Sequence, residues 1–273
     1  MSSSSPTLNP PSPWQSTRLH YHAIRPCDLS VFLAINNDNS GYANSNFTNI
    51  KLPGIADAEK FTKGTVEESL LAAIIWLPHP PLAPDTEETQ QAREIEWKVR
   101  RRPGEVIDPV YGTAIGEIHM SALPLHKTHH RNTEIGLDIL HLYQGRGYGS
   151  EAINWALDYA FRRAGLHRVQ VRGFSYNTGA IRLYERLGFT LEGREREAVY
   201  YEGAWWDVVT FGMVEGEWWA KQKVKTDKNS EEFSKKGKVE VLERLKSIER
   251  DGKKRERERE RERRVEEERE RLE

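Results

Sequence analysis

Gln144-Gly145-Arg146-Gly147-Tyr148-Gly149 stands between an apolar segment, Ile135-Gly136-Leu137-Asp138-Ile139-Leu140, and a helical pattern that begins at Ser150. Strand, glycine-rich turn and helix, in that order, make an anion cradle. Glycines let the backbone turn tightly and approach a ligand closely. The helix that follows directs unpaired N–H groups and the positive end of its dipole into the turn. A phosphate or pyrophosphate fits there. A tight strand-to-helix turn with no ligand is the competing reading of these six residues.

Two common phosphate-binding loops do not match. A dinucleotide-binding turn needs a third glycine and an acidic residue at the end of the next strand. Here Ser150 takes the glycine's place, and the next strand ends in Phe174-Ser175-Tyr176-Asn177. No Gly-Lys-Ser/Thr is present for a P-loop.

Composition narrows the setting. A single cysteine, Cys27, excludes an internal disulfide framework and a cysteine-based zinc site. No run of about 20 apolar residues exists to span a membrane. The Ser/Pro-rich start, residues 1–13, has neither the basic residues nor the apolar run of a signal peptide, so a cytoplasmic (or nuclear) setting is expected. The net charge of −1 divides into a mildly acidic body and a basic end from Lys221 onward. The alternating signs of the Arg/Glu tail, without aromatics, do not make the basic stripe that nucleic acid needs, so no nucleic-acid partner is expected; with no spanning run, no membrane partner is expected either.

Three regions are expected: a disordered segment over 1–17, a folded domain over 18–222, and a charged, low-complexity, partly helical tail over 223–273. Within the domain, His20–Ile24 reads as a strand, and Asp28 as the cap of a helix over residues 29–36. Thr65-Val66-Glu67-Glu68 has the spacing of a capping box and predicts a helix with Leu70, Leu71, Ile74 and Ile75 on its apolar face, ended by Pro78. Residues 78–91 read as a Pro-rich, acidic surface loop. Residues 95–99, 111–120 and 133–140 read as strands, antiparallel neighbours. Ile153, Ala156, Leu157, Ala160, Phe161 and Ala164 line one face of a helix stopped by Gly165. A strand over 168–174, a helix over 178–187 stopped by Gly188, and strands over 190–192 and 197–214 with a hairpin turn at 201–205 complete a mixed α/β sheet. If the Trp205-Trp206 and Trp218-Trp219 pairs lie on strands, one of each pair faces the core. His126, His129 and His130 share a polar loop with no carboxylate or cysteine at useful spacing, so no metal is expected there.

A second motif gives the glycine loop its context. Asn177-Thr178-Gly179-Ala180-Ile181-Arg182-Leu183-Tyr184-Glu185-Arg186-Leu187-Gly188-Phe189 follows the strand after the loop-bearing helix. Together with Gln144, Gly147 and Gly149 it resembles the GNAT N-acetyltransferases, which carry a Gln/Arg-x-x-Gly-x-Gly/Ala loop and, downstream, an Asn, an Ala and Leu-Tyr-Glu-Lys/Arg-Leu-Gly-Phe. Glu134-Ile135-Gly136, Ser150-Glu151-Ala152, and Gly203 through Trp218 with Asp207 between resemble the branch that acetylates ribosomal-protein N-termini, which includes polyamine and antibiotic acetyltransferases. The likeness runs over about residues 18–219.

The resemblance implies a GNAT fold, a mixed central sheet flanked by helices, and acetyl-CoA as cosubstrate with no metal. Backbone N–H groups of Gly145, Arg146, Gly147, Tyr148 and Gly149 would hold its pyrophosphate, with Gln144 in the motif and Arg146 adding a charge-assisted contact. The pantetheine would extend the sheet along 135–140 where that strand splays from its neighbour. A backbone N–H between Leu137 and Ile139 would polarise the thioester carbonyl. Tyr184 matches the family's general acid for the leaving thiolate; a packing tyrosine is the bland alternative. Glu117, Glu134 and Asp138 are candidate bases or ordinary strand carboxylates, with Glu134 and Asp138 on one face. Asn177 either contacts the CoA or caps the next helix. The acceptor would be a primary amine: a protein N-terminus, a lysine, a polyamine or a small molecule. An α-amine, with a pKa of ~7.8, needs far less help to lose its proton than a lysine at ~10.4. The alternative is a catalytically inactive relative, binding or scaffolding through its tail.

In that tail, Arg and Glu alternate over 255–263, so favourable i,i+3 pairs are offset by like-charged i,i+4 pairs. A fraying helix is expected. The stripe Val241, Leu242, Leu245 and Ile248 is cut off by Gly252, too early for a long coiled coil.

Overall fold

The computed structural model describes residues 12–48, 51–79, 105–108 and 111–224. It divides into two compact units, Met1–Glu215 and Gly216–Glu273. The expected strand over 95–99, most of the 78–91 loop and the apolar stripe of the tail lie outside the described residues.

In the first unit the strands are β1 (His20–His22), β2 (Ser69–Leu77), β3 (Val106–Asp108), β4 (Gly112–Ser121), β5 (Asn132–Ile139), β6 (Arg168–Phe174), β7 (Thr190–Tyr201) and β8 (Ala204–Val214). They form one sheet in the order β1-β2-β4-β5-β6-β8-β7, with β3 paired to β4. Among the described residues only β5 and β6 run parallel; the other pairs are antiparallel. The helices are α1 (Leu29–Asn36), α2 (Asn39–Ser45), α3 (Ile55–Glu67), α4 (Tyr148–Asp158) and α5 (Thr178–Leu187). The expected mixed α/β GNAT-type sheet flanked by helices is present.

The parallel pair needs a crossover, and α4 supplies it. Its Ile153, Ala156 and Leu157 are buried; each large aliphatic side chain taken from water contributes roughly 1.5–3 kcal/mol. The chain leaves α4 through a π-helical turn, Tyr159–Arg163, and Gly165 reverses it with φ +61°. α5 ends as expected, on Gly188 in the left-handed conformation.

One expected element is of the other kind. Thr65 closes α3 instead of opening a helix, and residues 69–77 are the strand β2. The run Leu70 to Leu77 is apolar at every position, and Ala73, Ile74, Ile75 and Trp76 are all buried. Such a run suits a strand covered on both faces, and periodicity does not separate it from a buried helix. Asp28 does stand at the start of α1, but its carboxylate accepts from the Arg25 N–H and guanidinium instead of capping the helix.

Contacts begin inside the stretch 1–17: the Pro13 carbonyl accepts from Trp155 Nε1, and the Trp14 ring lies against Tyr159. In the second unit residues 216–224 are helical, so Trp218 and Trp219 sit on a helix, not a strand, their rings edge to face. Among the described residues no helix is long and apolar enough to cross a membrane.

Candidate active site

The site is made by a parting of strands. β5 pairs with β6 only at Asn132, Thr133 and Glu134, opposite Arg168, Val169 and Gln170. Beyond Glu134 the two strands separate, while β4 keeps its hold on the other edge of β5 as far as Ile139. Residues 135–139 therefore turn one backbone edge, unpaired by the sheet, into a cleft of about 680 Å³. α2 lies against both strands. It is tied there by the Tyr176 hydroxyl on the Ala43 carbonyl and by Asn177 Nδ2 on the Asn44 carbonyl.

The glycine loop opens into this cleft. Gln144, Gly145, Gly147, Tyr148, Gly149 and Ser150 line it. Gly145 and Gly147 have φ of +72° and +83°, conformations that side-chain-bearing residues avoid. Gly147 caps α4, so the first amides of that helix point at the cleft. Gln144 donates through Nε2 to the Ile139 carbonyl, 2.8 Å, closing the turn onto β5. Arg146 is not on the cleft wall; its guanidinium lies over the Tyr143 ring.

A clasp from the N-terminal segment braces the loop. Glu151, in the first turn of α4, accepts from Ser16 Oγ, the Arg18 N–H and the Arg18 guanidinium at 2.6–2.7 Å. Burial alone would raise this carboxyl, but those donors outweigh it and hold it below its ordinary range. Arg18 also donates to the Arg146 carbonyl and stacks over Tyr148.

Tyr184 faces the cleft from α5, its ring against Phe189 and Phe211. Its hydroxyl donates to the Arg172 carbonyl over 3.4 Å. Burial, with the charges of Asp138 and Glu134, pushes its pKa to about 12. It is a protonated donor across the working pH range. Asn177 caps α5, accepting from the Ala180 N–H at 3.1 Å, and also borders the cleft.

The three carboxylates differ. Glu117 is fully buried and does not line the cleft; both its oxygens lie within 3.1 Å of His119 Nδ1. Glu134 lines the cleft but is held by Gln170 at 2.9 Å and by the Arg172 guanidinium at 2.7 Å. Asp138 lines the cleft opposite Glu117 in the sheet register. Loss of water, then the charge of Glu117, raises its pKa to about 7, against the opposing effects of Ser45 and His119.

His119 was not singled out in the sequence. Burial pushes its pKa down, but the charge and hydrogen bond of Glu117, then Asp138 and Glu134, prevail and raise it to about 9. The pattern that could have found it is Glu117-x-His119 facing the Glu134-x-Gly136-x-Asp138 face of the neighbouring strand. His126, His129 and His130 lie on an exposed 3-10 turn away from these groups.

Residues 70–189 match the acetyltransferase (GNAT) family model. An uncharacterized N-acetyltransferase of Bacillus subtilis (strain 168), YoaA, is 31% identical over 125 residues, which are 46% of this chain and 65% of that protein. A spermidine N(1)-acetyltransferase of Vibrio cholerae is 37% identical over 79 residues, 29% of this chain and 46% of the relative. The chain thus spans about half to two thirds of the length of these curated relatives. The crystal structure of spermidine N-acetyltransferase from Vibrio cholerae in complex with CoA and spermine superposes with a TM-score of 0.53 at 20% identity, over 74% of this chain and 98% of that one. The family match spans the parted strands and the glycine loop, residues 70–189 are similar to the GNAT acetyltransferases, and the fold is the GNAT fold.

Proposed function

We propose that this protein is an acetyl-CoA-dependent N-acetyltransferase that transfers the acetyl group to a primary amine by direct attack on the thioester. The observation that carries the reading is the unpaired edge of residues 135–139 running into the glycine loop at the start of α4. An extended pantetheine, with its own amides, pairs with such an edge as an added strand would. The amides of 145–149 take the pyrophosphate at the helix start. An N–H between Leu137 and Ile139 then polarises the thioester carbonyl, and Tyr184 protonates the departing thiolate.

Atoms and charge balance in this reaction. An ammonium acceptor loses a proton, its nitrogen bonds to the carbonyl carbon, and the C–S bond breaks. The thiolate takes a proton from Tyr184, which regains one from the attacking nitrogen. Amide, free CoA and one proton leave. Within the family, the residues Glu134-Ile135-Gly136 and Ser150-Glu151-Ala152 support the branch that acts on ribosomal-protein N-termini and polyamines.

The test is incubation of the full chain with acetyl-CoA and, separately, spermidine, a peptide with a free N-terminus and a lysine-bearing peptide with a blocked one. Thiol release matched by acetylated amine is expected with at least one. CoA binding without transfer to any would overturn the enzyme reading in favour of a binding relative.

A further inference from the structure

We propose that Asp138 is the group that takes the proton from the acceptor amine, and that His119, ion-paired to Glu117, is the positioning residue that fixes Asp138's proton affinity. The proposal rests on the N-acetyltransferase reading above and goes beyond it by choosing among the carboxylates. A base must be reachable from the cleft and not bonded to a cationic partner. Glu117 fails both conditions: it is sealed from the cleft and both oxygens face His119. Glu134 reaches the cleft, but Gln170 and Arg172 occupy one oxygen each. Asp138 borders the cleft between Leu137 and Ile139, the stretch assigned to the thioester carbonyl. An amine arriving at that carbon meets its carboxylate on the same strand.

The surroundings leave room for one proton. Facing Asp138 are Glu117 and His119 on β4 and Ser45 on α2. Tyr184 on α5 lies within range of its charge. Glu134, on its own strand, is neutralised by Arg172 on β6. The Glu117–His119 pair is neutral in sum at 3.0 Å. The proton affinity belongs to this cluster as a unit, and Asp138 is the member that the substrate can reach. A carboxyl held near neutrality is a poor partner for a lysine-type amine at ~10.4 and a close match to an α-amine at ~7.8, so α-amino acceptors are favoured. In the step, the N–H bond of the ammonium breaks and its proton joins an Asp138 oxygen. After the C–S bond breaks, that proton passes to solvent as the one released in the balance above.

Two readouts test this. First, kcat at saturating acetyl-CoA and saturating Ala-initiated peptide is followed against pH for the wild type, Asp138→Asn and His119→Gln. Asp138→Asn is expected to lower kcat about 100-fold or more and to lose the acid limb. His119→Gln removes a positive charge, so the limb should move to higher pH by about one unit or more; a merely structural histidine would leave it in place. Second, the Asp138 carboxyl is titrated directly by carbon NMR in the free protein, which also reports folding. It should titrate near neutrality and shift upward in His119→Gln. An Asp138→Asn enzyme with wild-type kcat, or a carboxyl titrating in the ordinary acidic range, overturns the proposal. If the wild type transfers to no amine, the enzyme reading fails, and the carboxyl titration still decides whether the cluster is as described.

Discussion

The His119 ring stands where any side chain at Gly136 would have to go. The two residues are cross-strand partners, and a Cβ built at Gly136 would fall 2.2 Å from the ring's Cε1. Glycine at 136 is therefore what lets His119 lie flat across β5, between Glu134 and Asp138, while its Nδ1 reaches Glu117. Gly136→Ala should displace the ring and strain the pair with Glu117. A cost of about 1–3 kcal/mol is expected from overpacking alone, and more if Glu117 loses its partner. Urea unfolding of the variant measures it; a change below about 0.5 kcal/mol would contradict the packing described.

The same cluster predicts how stability varies with pH. His119 is raised to about 9, so its contribution is full below its unfolded pKa of ~6.5 and is lost as pH rises towards 9. Asp138 is raised to about 7, so folding disfavours its ionised form, and stability falls as pH climbs from ~4 to 7. Both act in one direction. The midpoint of thermal unfolding should drop steadily between pH 5 and pH 9, and Asp138→Asn should remove the lower part of that slope. The variant should be more stable than wild type at pH 8, by an amount on the order of a few kcal/mol, while losing activity. Equal stability of the two at pH 8 would argue that Asp138 is not desolvated.

These features show where sequence reasoning was enough and where it was not. The glycine loop and α5 were legible because backbone conformation demands glycine at 145, 147 and 188, and such demands are local. α4 and α5 carried clean helical periods with stop residues, Gly165 and Gly188. β2 was misread because an apolar run of strand length carries no period, and only its neighbours β1 and β4 make it a strand. His119 was missed because its meaning lies across the sheet, in Gly136 and Asp138. Nor did the sequence separate the three carboxylates: Glu134's partners, Gln170 and Arg172, come from a strand more than thirty residues away.

Tyr184→Phe removes only a hydroxyl whose one hydrogen bond is 3.4 Å long, so stability should change little. Loss of a general acid should lower kcat about 100- to 10,000-fold, roughly 3–5 kcal/mol of barrier. A folded Tyr184→Phe protein with wild-type kcat at saturating acetyl-CoA would reduce Tyr184 to a packing residue.

At Gly147 two substitutions separate strain from charge. Gly147→Ala meets only φ +83° and an Arg18 nitrogen 3.3 Å away; its cost should be about 1–2 kcal/mol, mainly in stability. Gly147→Glu adds a negative charge at the proposed pyrophosphate site. Its CoA affinity, by calorimetry, should fall at least about tenfold below that of Gly147→Ala, since like charges about 4 Å apart repel by about 4 kcal/mol at an effective dielectric of ~20. Equal affinities for the two variants would move the pyrophosphate elsewhere.

The most direct test of the central claim is a crystal structure of the full chain with acetyl-CoA. An extended pantetheine should be paired with the edge of β5, between Ile135 and Ile139, that the sheet leaves unpaired. The pyrophosphate should sit on the amides of 145–149, and the thioester sulfur within reach of the Tyr184 hydroxyl. Acetyl-CoA bound away from the parted strands, or bound there with its thioester turned from both Asp138 and Tyr184, would contradict it.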